Sequence, residues 1–175
     1  DLASFSLYYF GDHAKANPYH YGHVPEVTVN ANGTASVVKH YAMGRIAREM
    51  QMGADDNRTF ISGDDGKNTG LFMYVADRAK DLSQGTIYAG RVTQTSAQHA
   101  GDYTVQWIRL GHASDAQIKA YIDKGVVFAD LFDVAESDPK DTSYTKVETY
   151  TGQEWLRLKT SNAKGMSAEQ IRQAA

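Results

Sequence analysis

The 175-residue sequence contains no cysteine. Disulfides, thiolate metal sites and cysteine nucleophiles are therefore excluded, and the chain is indifferent to the redox state of its compartment. Proline is scarce, at three residues. Excess charge is missing too: 18 Lys and Arg against 21 Asp and Glu give a formal net charge of −3. Such a balance offers no broad positive field for nucleic acid or anionic lipid, so neither is an expected partner. No apolar run approaches the roughly 18 residues of a membrane span. The sequence opens on Asp1 without a basic, apolar leader, which reads as a mature product or an excised piece.

What is present suits one globular domain over residues 1–175. Hydrophobic residues make up 42% and charged residues 22%, and a chain of this length buries a core without staples. Eleven Tyr and 15 Gly favour strands separated by tight turns.

Residues 1–110 read as strand and turn. Ser6–Phe10 is an aromatic run, followed by a His-rich polar loop over Gly11–His20. Val24–Val29 is strand-like, with Pro25 marking an edge or a strand start. Asn30–Gly33 is a turn, and Ala35–Met43 a second strand. Turns at Ala54–Arg58 and Asp64–Thr69 flank a strand at Thr59–Ser62. Leu71–Val75 is continuously apolar, as a strand buried on both faces would be. Thr86–Thr93 and Tyr103–Leu110 complete the set. The expected class is mainly β: antiparallel meanders of a sandwich, barrel or propeller.

The last third changes character. Residues 111–135 form an insertion. In it Ser114 caps a helix whose Ile118, Tyr121 and Ile122 share one face, with Gly125 as its stop. Val126–Ala135 is apolar and fits strand or helix equally. Residues 136–175 read as a loop, a short strand at Trp155–Leu158, and a C-terminal helix opened by the capping box Ser167-Ala-Glu-Gln. That helix has about two turns, marginal alone, which points to a segment of something longer.

Chemistry is offered at few places. Asp64 and Asp65 lie between Gly63 and Gly66, where two carboxylates and a backbone carbonyl can turn toward one hard cation. Calcium takes six to eight such oxygens. The plain alternative is a solvated turn, since Asp and Gly are its usual residues. Glu49 lies in Ala42–Met52, where Met43, Ile46 and Met50 recur with a helical period that makes Arg45 and Glu49 an i,i+4 surface pair; Gly44 argues against that helix. Glu26 sits between apolar neighbours, either aimed at the mouth of a barrel or propeller or facing solvent. His20 and His23 have a spacing that a metal would accept, or simply belong to a Tyr/His loop packed by its own rings. His40 reads as structural. No HExxH, GxSxG, Walker loop or GxGxxG after a strand occurs in the sequence.

The order of segments is more informative than any one of them. Pro25-Glu26-Val27, Tyr41-Ala42-Met43-Gly44-Arg45, Arg48-Glu49, Ile61-Ser62-Gly63-Asp64-Asp65, Leu71–Asp77 and Leu82–Ala89 follow one another in a pattern that resembles the PhoX-type secreted alkaline phosphatases and their phosphatase-like relatives. Gln153–Leu158 looks like a later segment of that family. The resemblance is close over roughly residues 20–110 and loose elsewhere. It implies a β-propeller with insertions, and hydrolysis of small phosphate esters with calcium and iron in the propeller mouth. It also implies export to the periplasm or cell exterior. Residue by residue it makes Glu49, Asp64 and Asp65 metal ligands, matches Glu26 to the Glu of the family's valine-rich strand, and leaves Arg45 as a partner for substrate.

The sequence also departs from the family. Arg48 stands where the family has His, and the cysteine ligand of some members has no counterpart. A propeller blade takes about 40–50 residues, so this chain supplies two or three. The expectation is a partial propeller, weakly active or inactive alone, with open strand edges covered by the rest of a parent chain or by a second copy. The competing expectation is a non-enzymatic binding or scaffold module that kept the strands and lost the metal site. A third, a surface-assembly or lectin-like domain, rests only on the tyrosines.

Overall fold

The computed structural model describes residues 2–160 and 164–175. It is mainly β, at 44% strand and 19% helix, and its sheets are antiparallel. The Asn30–Gly33 turn joins β1 (Val24–Val29) to β2 (Ala35–His40) as a two-stranded hairpin, with Gly33 at φ 81°. The main sheet is a meander in chain order: β3 (Arg48–Gly53), β4 (Thr59–Asp64), β5 (Leu71–Arg78), β6 (Asp81–Ser96) and β7 (Asp102–Ser114). A third sheet sets β10 (Gln153–Leu158) between β8 (Phe132–Ala135) and β9 (Thr145–Glu148).

Local chemistry accounts for the turns. Between β3 and β4, one Asp56 carboxylate oxygen accepts from the amides of Arg58 and Thr59, which folds the chain back without a proline. Beyond Gly90 the β6 strand has no β5 partner, yet its pairing with β7 continues to Ser96 and Asp102. The outer part of this hairpin therefore projects as a two-stranded arm.

Both expected helix caps are present. Ser114 caps α2 (Asp115–Asp123) and Ser167 caps α4 (Ala168–Ala174), each closing a capping box with the Gln three residues on. Gly125 follows α2 with φ 70°. Val126–Ala135 resolves into both candidates, a four-residue helix α3 (Phe128–Leu131) running straight into β8.

Three local readings are corrected. Ser6–Phe10 is not a strand but the body of helix α1 (Leu2–Phe10). The Phe5 and Tyr9 rings, one turn apart, pack as a tilted pair with centroids at 4.6 Å, and Ser6 Oγ donates to Asp12 O and accepts from Ala16 N. Glu49 lies in β3, not on a helix, and Gly44 before it takes φ 73°. Leu71–Val75 is only half-buried apart from Tyr74.

The core lies where β7, α2 and α4 meet. Ala113, Ile118, Ile122, Val126, Leu131, Met166, Ile171 and Ala174 are buried together with Tyr19. Each large aliphatic side chain buried there contributes about 1.5–3 kcal/mol. Gly111 permits the approach, since a Cβ at that position would collide with the Glu169 backbone. A smaller cluster of Ala42, Met43, Tyr74 and Ala76 packs the hairpin against the main sheet.

Candidate functional site

The antiparallel pairing of β3 with β4 sets Arg48 opposite Asp64. The segment just before β3 therefore runs beside the turn just after β4. The amide of Asp65 donates to Ala47 O at 2.7 Å, and that of Asp64 to Gly70 O at 3.1 Å, which pins the turn. Arg45, Asp64 and Asp65, about twenty residues apart in sequence, consequently line one open cleft of about 640 Å³. Lys67, Tyr21 and Tyr150 line it as well. Asn68 draws Tyr150 in by donating to Thr149 O at 3.2 Å.

Two candidate ligands lie elsewhere. Glu49 is exposed in a bulge of β3, where the register with β4 shifts between Arg48 and Met50, and it does not line the cleft. A bulge adds one residue to one strand and redirects its side chain. Glu26 lies on β1 and binds a different partner. Its Oε2 is 2.7 Å from Nε2 of His40, whose Nδ1 is 2.8 Å from Oδ2 of Asp115. The other Asp115 oxygen accepts from the Ala42 amide at 2.7 Å.

That arrangement fixes the state of His40. A carboxylate at each ring nitrogen asks both nitrogens to donate, which only the imidazolium does. The hydrogen bond to Asp115, joined by that to Glu26, raises the His40 pKa above 6.5 against the opposing effect of burial. His40 is 3% exposed, so this charge is compensated inside the protein.

His20 and His23 do not form a pair of ligands. His23 Nε2 donates to Tyr19 O at 3.0 Å, its ring packs on Tyr41 at 4.6 Å, and burial lowers its pKa. Tyr19 in turn lies under the Arg45 guanidinium at 4.7 Å. This is the loop packed by its own rings.

Arg48 is held by neutral acceptors, and Arg45 by a carbonyl and by an oxygen of the last residue. Arg45 donates to Tyr21 O and to the Ala175 main-chain oxygen. Arg48 donates to Ser62 Oγ, Gly22 O and Met43 O. Burial lowers the pKa of both. The residues missed from sequence are Asp115 and Lys67. Only Asp115 left a usable signal, as the acid in the first turn of a capped helix.

No family model, no curated protein and no solved structure matches this chain. The class defined by the fold is an antiparallel, mainly β protein built on a five-stranded meander.

Proposed function

We propose that the chain is a segment of a PhoX-like phosphatase. In this reading the meander supplies propeller strands, the cleft receives a small phosphate ester, and turnover by this segment alone is weak or nil. The observation supporting it is the shared cleft of Arg45, Asp64 and Asp65. A guanidinium takes two oxygens of a phosphate group at once, and Arg45 is already set in place by Tyr19 and Tyr21. Lys67 adds a second cation to the same wall.

Calcium and iron belong to the proposal as groups completed from outside this segment. Two carboxylates supply at most four oxygens, fewer than the six to eight of calcium. No cluster of three or more His, Cys, Asp or Glu residues suited to a metal occurs among the described residues. These residues alone do not fit the centre implied by the resemblance, and no catalytic step is drawn through it. Secretion or a periplasmic location belongs to the same proposal.

A non-enzymatic binding or scaffold module is the second reading. It is favoured by Glu26, whose carboxylate is bound to His40 instead of being offered to a ligand. Metal analysis separates the two. Under the first reading the incomplete site takes up added calcium weakly and Asp65→Asn abolishes that uptake; under the second no calcium is taken up. Hydrolysis of an aryl phosphate with added calcium and iron is expected to be slow or absent, and brisk chelator-sensitive turnover would overturn the claim that this is an incomplete segment.

A further inference from the structure

The strand register sorts the residues of β3–β7 onto two unlike faces. One face carries Ser62, Tyr74, Ala76, Ile87 and Ala113, which are the buried side chains of this sheet. Ala42 and Met43 pack on Tyr74 and Ala76 there, and α4 approaches at Gly111. The opposite face has no buried residue. Its middle is apolar all the same: Ile61 on β4, Leu71, Met73 and Val75 on β5, Tyr88 on β6 and Trp107 on β7. Met50 and Met52, 70% and 62% exposed, stand at its β3 border, and Val92 and Val105 carry it onto the β6–β7 arm. None of these side chains belongs to either buried cluster. An antiparallel sheet that faces water turns polar residues outward. A continuous apolar face instead marks a surface that another surface covers.

We infer that this face is the interface between two copies of the chain, packed sheet on sheet about a two-fold axis. Charge selects a second copy. From Thr59 to Gly63, Leu71 to Val75 and Thr86 to Val92, the residues of this face include no Asp, Glu, Lys or Arg. The nearest charged groups, Asp77 and Arg109, are already paired with His112 and Glu169. A two-fold axis brings like against like, which an uncharged field tolerates, whereas an acidic or basic partner finds nothing here to pair with.

The relief of the face fits itself. Met50, Gly63, Leu71, Gly90 and Trp107 form one row across the five strands. A Cβ at Gly63 would meet nothing within 4 Å, so the row dips between Met50 and Leu71. The Trp107 ring leans over Gly90, 3.2 Å from where a Cβ would stand, and makes a flat shelf. An axis between β4 and β5 sets Leu71 of each copy into the Gly63 dip of the other. It also lays each Met50 on the other copy's Trp107 shelf, where thioether and ring attract. The four strands that overlap are about 19 Å wide and their apolar rows about 20 Å long, roughly 400 Å² in plan on each copy and more as accessible surface. That is the lower range of specific interfaces, so the dimer is expected to dissociate at about 1–100 µM. The inference is independent of the phosphatase reading, since none of these residues lines the cleft.

The test is analytical ultracentrifugation of the whole chain across that concentration range, where monomer should pass to dimer. Met50→Lys, at a highly exposed position, should fold normally and weaken dimerisation tenfold or more. Gly63→Leu fills the dip and should do the same. Val37→Lys alters an equally exposed apolar residue on the β1–β2 hairpin and should leave the dimer intact. Circular dichroism of each variant separates lost association from lost fold. A chain that stays monomeric throughout, a dimer indifferent to Met50→Lys, or one dispersed by Val37→Lys would overturn the interface. A dimer weakened by Met50→Lys and not by Gly63→Leu would overturn the placement of the axis.

Discussion

His40 Nε2 lies 2.7 Å from Oε2 of Glu26, fourteen residues earlier on the partner strand. With Asp115 on its other nitrogen, His40 ties the β1–β2 hairpin to the first turn of α2. A raised pKa means that the folded chain holds the proton more tightly than the unfolded chain. The stabilisation is therefore complete below about pH 6.5 and is lost as pH rises through the higher folded-state value. Urea denaturation from pH 5.5 to 9 should show stability falling across that window. The fall should be absent in His40→Phe, and a wild-type profile flat over the same range would refute the assignment.

Asp115→Asn removes the charge but retains an acceptor for the Ala42 amide. It should bring the His40 pKa back down, because Asp115 is its largest raising influence. The imidazole resonances followed by NMR titration would report the change. Asp115→Ala should cost more in stability, about 1–3 kcal/mol, since the Ala42 amide is orphaned as well.

The C-terminal helix is held by its buried face and not by its length. Ile171 is fully buried. Ile171→Ala should destabilise the fold by about 2–5 kcal/mol. Ser167→Ala, which removes only the cap, should cost about 1 kcal/mol. Thermal melts of the two variants would separate packing from capping, and equal losses would contradict this division.

Gly85 sits where β6 passes Tyr74. A Cβ there would meet Val75 O at 2.5 Å and the Tyr74 ring at 2.6 Å. Gly85→Ala should displace the tyrosine and its hydrogen bond to Leu82 O, lowering stability by about 1–3 kcal/mol. A variant as stable as the parent would show that this strand crossing relaxes freely.

The sequence was informative where a signal was local. Ser114 and Ser167 announced their helices because a cap and its Gln lie three residues apart. The Asn30–Gly33 and Asp64–Thr69 turns were legible from residue chemistry alone. Ser6–Phe10 misled because its apolar residues have neither a strand nor a helix period, and their β propensity yields to the Phe5–Tyr9 contact and the Ser6 hydrogen bonds. The cleft was half legible. Arg45, Asp64 and Asp65 could be singled out, but their proximity depends on the β3–β4 register. Glu49 drops out of that group because of one bulge. Glu26 and His40 could have been paired from the hairpin register, in which Val24 faces His40 and Val38 faces Glu26, making the two diagonal neighbours on one face. Asp115 could not, because it comes from 75 residues away.

The unsupported end of the β6–β7 hairpin changes how that part of the molecule moves. From Arg91 onward β6 pairs with β7 alone, so the ribbon extends about 20 Å beyond Gly90, at some 3.3 Å per residue, without a second neighbouring strand. Its backbone amides open to solvent without disturbing the sheet below. Deuterium should therefore enter at Val92–Gln94 well before it reaches Thr86–Tyr88, where strands stand on both sides.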